Sequence, residues 1–153
     1  MRKIILVGKS GSGKTTLIQR AGKQDLDYRK TQMVGYSDGF IDTPGEYLEL
    51  RHFNRALIVT AADADVIGFV QECGVEETYL PPLLASVFPK EVIGIVTKID
   101  LARGEEDLSL AREVLRSAGV TRIFEISALK NKGVDELLAY LFDPLQAGIK
   151  TNL

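Results

Sequence analysis

Gly8-Lys9-Ser10-Gly11-Ser12-Gly13-Lys14-Thr15 fits the pattern G-x-x-x-x-G-K-[ST] and stands directly behind the apolar run Ile4-Ile5-Leu6-Val7. A short apolar run of this kind reads as a buried strand, so the glycines fall where the chain must turn from a strand into a helix beginning near Lys14. The turning backbone forms a nest of N–H groups, and the helix adds the positive end of its dipole; together they predict a seat for a polyphosphate. Gly8, Lys9, Ser10, Gly11, Ser12, Gly13, Lys14, Thr15 and Thr16 surround that seat. Lys14 reaches the outer phosphates, and the Thr15 hydroxyl completes the shell of a small hard cation, Mg²⁺.

A chain of 153 residues can bury one real core but not comfortably two. Residues 1–145 are expected to form a single nucleotide-binding domain, with 146–153 as a frayed tail. The 45% apolar content is that of a globular protein, and a net charge of −2 gives no general attraction for nucleic acid or an anionic membrane. Apolar stretches stay far below the ~18 residues of a membrane span. Met1-Arg2-Lys3-Ile4 enters the first strand without a leader, and neither end carries a common lipidation signal, so a cytoplasmic location is expected. The single cysteine, Cys73, cannot form an internal disulfide and is assigned to packing.

Short apolar runs alternate with helical patterns along the whole chain, which predicts βα units around a mostly parallel sheet. A helix is expected from Lys14 to about Gly22, then an irregular polar segment from Lys23 to Ser37. A short strand, Gly39 to Asp42, stops at Thr43-Pro44-Gly45. Periodicity leaves Ala56-Leu57-Ile58-Val59 open between strand and helix, but the next strand, Asp65 to Val70, must run parallel to the previous one, and the crossover requires a helix from about Glu49 to Ala62. Pro81-Pro82 opens a short helix through Phe88, and Glu91 to Val96 is a buried strand. A long helix from Glu105 to Ala118 closes at Gly119; Arg122 to Ile126 is the last strand and Val134 to Phe142 the last helix.

Three further motifs fall beyond the carboxyl ends of these strands, where an open α/β sheet binds ligands. Asp42-Thr43-Pro44-Gly45 offers a carboxylate for the metal and the Gly45 N–H for the terminal phosphate. Thr97-Lys98-Ile99-Asp100 would lie beside a purine. Asp100 can accept both N1–H and the exocyclic amine of guanine, whereas adenine turns an acceptor toward the same carboxylate, and Lys98 can lay its methylenes along the ring. Ser127-Ala128-Leu129-Lys130 ends the last strand, where a backbone N–H can touch the base oxygen.

In this order the four elements resemble those of the small Ras-like GTPases. The resemblance implies a three-layer P-loop NTPase with strand order near 3-1-4-5-6, and a switch threonine ahead of Asp42, for which Thr31 is the candidate metal ligand. Only about ten residues separate Thr31 from Asp42, so the antiparallel hairpin usual at that point is expected to be truncated or missing. More closely, Gly8 to Leu17, Tyr28 to Gln32, Ile41 to Tyr47 and Val96 to Leu101 resemble the family of the ethanolamine-utilisation protein EutP and the propanediol-utilisation protein PduV. Membership implies bacterial amine or diol catabolism, commonly linked to protein-shelled microcompartments, with shell or pathway proteins as partners. It also implies an acetate kinase assignment with ATP as donor, in conflict with the guanine geometry of Asp100.

Glu46 departs from the GTPase pattern, which has glutamine there to orient the attacking water. At ~4 Å and an effective dielectric near ~20, each unit of like charge on the phosphate costs about 4 kcal/mol, so Glu46 either acts as a base or turns away. Ser10 replaces the commoner glycine and narrows the route of water, which predicts slow hydrolysis. An acetate kinase would need added positive charge for its acceptor, and Arg29, Lys30, Arg51, His52 and Arg55 are the cations near the switch segments. His52, the only histidine, is not expected to bind metal. A third possibility is a docking module that uses Tyr47, Leu48 and Phe53 as an apolar face.

Overall fold

The computed structural model describes residues 2–28, 39–43 and 54–142. Strand β1 (Ile4–Val7) leads through the glycine loop into helix α1 (Lys14–Tyr28). Then come β2 (Phe40–Asp42), α2 (Asn54–Ala61), β3 (Val66–Glu72), β4 (Glu91–Thr97), α3 (Glu105–Ser117), β5 (Ile123–Glu125) and α4 (Val134–Phe142). The five strands form one sheet in the order β2-β1-β3-β4-β5, and every pairing is parallel. Counted without the antiparallel second strand of the GTPase pattern, this is the expected order 3-1-4-5-6. That strand would fall within 29–38, outside the described residues, as would the proposed truncation of the hairpin.

Alternation along β1 builds the layers. Ile4 and Leu6 point into a core with Leu17 and Ala21 of α1 and Val134, Leu137 and Leu141 of α4. Ile5 and Val7 point the other way, into a core with Leu57 and Ala61 of α2 and Ala111 and Leu115 of α3. Each large aliphatic side chain buried in this way contributes roughly 1.5–3 kcal/mol. Because β1 is buried on both faces it must be apolar throughout, and the phosphate loop starts from a fully buried strand.

Two expectations need correction. Helix α1 does not stop near Gly22 but continues to Tyr28, so residues 23–28 are helical rather than irregular. A single glycine costs a helix only about 1 kcal/mol, too little by itself to end one. The short helix expected after Pro81-Pro82 is a single 3₁₀ turn, Leu84–Val87. Leu83 stands there in the left-handed region (φ 60°), and the N–H groups of Leu83 and Ala85 donate to Ser117 and Ala118, which tie the segment to the end of α3. Strand β5 is shorter than Arg122 to Ile126, yet Gly94 N–H to Arg122 O and Ile126 N–H to Val96 O carry the ladder to both ends of that range at 2.8 Å each. No helix among the described residues is long and apolar enough to cross a membrane.

Candidate nucleotide site

The phosphate loop is shaped by its own backbone. Gly11 and Gly13 take positive φ (81° and 101°), the Ser12 N–H donates to Lys9 O, and Leu17 N–H closes the first helical turn on Gly13 O. The buried Lys14 ammonium folds over this loop and donates to the carbonyls of Gly8 (2.8 Å) and Lys9 (3.0 Å). Ser12 Oγ is buried without a hydrogen-bond partner among the described residues, an unmet polar group inside the loop. Thr15, Thr16 and Ser10 are exposed on its outer side. Lys9 turns outward: its ammonium lies 3.5 Å from Glu77 and over the Tyr79 ring. The Tyr79 hydroxyl, and after it Lys9, holds the Glu77 carboxyl below its ordinary range.

Asp42 reaches the loop because of register. Leu6 pairs with Asp42, and the buried Thr43 hydroxyl donates to Leu6 O at 2.7 Å, which locks the end of β2 against β1. The Thr15 hydroxyl then donates to Asp42 Oδ2 at 2.7 Å. Two hard oxygen donors from separate elements thus converge beside the phosphate loop.

A cleft of about 240 Å³ opens next to Gly13 and Thr16, walled by Thr97, Lys98, Asp100, Leu101, Ala128 and Leu129. Leu101 and Leu129 are largely exposed apolar side chains at this cleft, suited to flank a flat ring. Asp100 Oδ1 accepts from the Ser127 hydroxyl (2.7 Å), whose oxygen accepts the Lys130 N–H in turn. Ser127 also exchanges both backbone hydrogen bonds with Lys132, closing the turn that carries Ala128 and Leu129.

Thr97 and Lys98 do more than line the base side. Buried Thr97 donates to Ser12 O (2.5 Å), and Lys98 Nζ donates to Gly11 O (2.8 Å) and to Glu72 at the end of β3 (2.7 Å). The Lys98 ammonium is therefore directed at the phosphate loop, while the side chain still lines the cleft as expected. Behind this turn the Cys73 thiol, buried as expected, donates to Lys98 O at 3.0 Å. Burial first, then the charges of Asp107, Glu72 and Asp100, push its pKa up, which favours the neutral thiol.

The structure gathers Gly8 to Thr16, Asp42, Thr97, Lys98, Asp100 and Ser127 to Leu129 at the carboxyl ends of the strands. Thr31, Gly45 and Glu46 lie outside the described residues, as do Arg29, Lys30, Tyr47, Leu48, Arg51, His52 and Phe53; Arg55 is exposed in the first turn of α2. Sequence reasoning missed three residues: Thr43; Glu72, which pairs in register with Thr97; and Arg20, whose guanidinium donates to Ala128 O (2.7 Å) and Leu129 O (3.3 Å). Arg20 stands four residues after Thr16, hence on the same helix face, and that spacing was the available signal.

A profile of the PduV-EutP family, described as ethanolamine utilisation and propanediol utilisation, matches residues 1–143. The propanediol utilization protein PduV of Citrobacter freundii is 41% identical over 141 residues, 92% of this chain and 93% of that protein. A protein of Escherichia coli K12 named probable acetate kinase EutP is 34% identical over 158 residues, 99% and 98% of the two chains. Among solved structures, the FeoB G-domain of Methanococcus jannaschii superposes with a TM-score of 0.63 at 19% identity, over 95% of this chain and 97% of that one. With motif order, sheet order and a family match over nearly its whole length in agreement, the chain belongs to the PduV-EutP family and has the fold of the small GTPase-like nucleotide-binding proteins.

Proposed function

We propose that this protein binds a nucleoside triphosphate with Mg²⁺, prefers guanine, and hydrolyses the nucleotide slowly as a switch-like component of ethanolamine or propanediol catabolism. The observation that carries this reading is the phosphate loop, with Lys14 and the Thr15–Asp42 pair, directly beside a cleft that Gly13 of the loop and Asp100 both line. The loop N–H groups and Lys14 hold the β- and γ-phosphates; Lys14 exchanges its loop carbonyls for phosphate oxygens, a stronger charge-assisted pairing. Thr15 and Asp42, with Thr31, would hold the Mg²⁺, which when bound neutralises charge on the phosphate oxygens. Gly45 and Glu46 belong beside the terminal phosphate, and Ser127 to Leu129 beside the base oxygen. Family membership supports the catabolic setting and, through it, contact with microcompartment shell or pathway proteins.

A second reading, transfer of phosphate from ATP to acetate, is favoured by the name of the 34% identical E. coli relative. Acetate is already a nucleophile and needs no base, but it must be held near an anionic phosphate by added cations. Phosphate release and acetyl-hydroxamate formation are to be measured side by side, with GTP and ATP, with and without acetate. GTP-dependent phosphate release indifferent to acetate is expected. Acetate-dependent hydroxamate with ATP would replace the first reading by the second.

A further inference from the structure

We propose that Arg20 is a positioning residue for base recognition: from the phosphate-binding helix it fixes the peptide amide of Leu129, one of two that read the oxygen edge of the purine. Helix α1 carries Lys14 and Thr15 at its first turn, Thr16 in the wall of the cleft, and Arg20 one turn further on the same face. From there the half-buried guanidinium reaches 108 residues along the chain to Ala128 O at 2.7 Å, and to Leu129 O at 3.3 Å. Two adjacent carbonyls held by one planar group cannot rotate independently.

A trans peptide sets its N–H opposite its C=O, so capture of Ala128 O fixes the direction of the Leu129 N–H. The Ser127 carbonyl is held in the same way by the Lys132 N–H, which fixes the Ala128 N–H. Neither amide donates to another backbone group among the described residues, and both residues wall the cleft. They are two oriented donors, unused among the described residues, at a site whose walls also carry the apolar Leu101 and Leu129. A ligand can supply the acceptor, and the 6-oxo group of guanine supplies one where adenine has an amine. Asp100 and Arg20 thus act on different atoms of the same ring: Asp100 on its N–H groups directly, Arg20 on its oxygen through the Leu129 N–H.

The inference rests on the guanine reading above, and its test separates the two. Affinities of the purified full-length protein for GTP, 6-thio-GTP and ATP are to be measured by fluorescence competition, for the parent, Arg20→Ala and Arg20→Lys. Sulfur is the weaker acceptor, and the substitution leaves both N–H groups facing Asp100 unchanged. In the parent GTP is expected to bind about tenfold tighter than 6-thio-GTP. Arg20→Ala should bring that ratio to about two or less, with ATP affinity nearly unchanged, and Arg20→Lys should fall between. Each ratio is taken within one variant, so a loss of folded material cancels. An Arg20→Ala protein that keeps the parent's GTP to 6-thio-GTP ratio overturns the proposal. A parent that binds ATP as well as GTP overturns the guanine reading beneath it.

Discussion

The two ends of the cleft are built in opposite ways. At the phosphate end, the bonds that shape the loop join near neighbours: Lys14 reaches back six residues to Gly8 and five to Lys9. At the base end, Lys98 reaches Gly11 across 87 residues, Arg20 reaches Ala128 across 108, and Asp100 meets Ser127 across 27. The phosphate cradle is shaped chiefly by its own residues between β1 and α1, with Thr97 and Lys98 bonded to its carbonyls from the end of β4. The base end exists only when β3, β4, β5 and α1 are in register together. Damage at the phosphate end should therefore remove binding and spare the fold, whereas damage at the base end should alter stability or selectivity first.

Lys14→Ala gives the largest effect. Removing the ammonium from a phosphate seat deletes charge-assisted bonds in a nearly dry site, so GTP affinity should fall about a thousandfold, or about 4 kcal/mol. The melting temperature should move by only a few degrees, because in the folded protein Lys14 bonds to carbonyls of its own loop. Calorimetric titration beside a thermal melt reads both. Undiminished GTP binding would sink the phosphate seat, and outright unfolding would sink the distinction between the two ends.

Alanine at two glycines sharpens the contrast. A Cβ at Gly11 in the phosphate loop (φ +81°) meets nothing within 4 Å, so Gly11→Ala bears only the left-handed strain of about 1 kcal/mol. A Cβ at Gly133 (φ +74°), behind the base-side turn, would lie 2.2 Å from Glu125 O and 3.3 Å from Ile126 Cα, both backbone atoms that cannot swing aside. Gly133→Ala should therefore cost about 2–4 kcal/mol. Urea denaturation of the two variants checks the difference, and equal midpoints would show that the base-side turn is not held as tightly as its geometry indicates.

What was legible in the sequence follows the same division. Residues 8–15 could be read as a phosphate loop because the glycines and the lysine that turn its backbone lie within the motif. The strands could be read because parallel strands buried on both faces leave unbroken apolar runs such as Ile4 to Val7 and Ile93 to Val96, while their order came from the resemblance to the Ras-like GTPases. Helix α1 beyond Gly22 and the 3₁₀ turn after Pro82 differ from the sequence reading, since one glycine costs a helix too little to end it and hydrogen bonds to Ser117 and Ala118 shape the second. Thr97 and Lys98 were assigned to the base alone, and Arg20 and Glu72 were not read at all. Their partners lie 26 to 109 residues away, and no local pattern encodes such a pairing.

Asp100→Asn comes next in size. The carboxylate accepts from Ser127 with one oxygen and has lone pairs left for two ring N–H groups; a carboxamide substitutes a donor for one acceptor and removes the charge. The preference for GTP over ATP should fall about tenfold or more, with phosphate-end contacts and total ATP affinity nearly unchanged. Competition binding with both nucleotides measures it, and an unaltered preference would take Asp100 out of base recognition.

Glu72→Gln should give the smallest effect and tests the join between the two ends. Glu72 holds the Lys98 ammonium that reaches Gly11, and the pair is partly solvent-exposed, so the loss should be about 1 kcal/mol or less. Nucleotide should dissociate about two- to fivefold faster, with no change in the choice of base. A second readout comes from Cys73. After burial and Asp107, the Glu72 charge is the next cause of the raised thiol pKa, and removing a negative charge favours the thiolate. The pH at which Cys73 becomes reactive to a small alkylating reagent should therefore move down. Faster dissociation with an unmoved thiol profile would assign the effect to loosened packing, whereas both shifts together would place Glu72's charge in the link that holds the base turn to the phosphate loop.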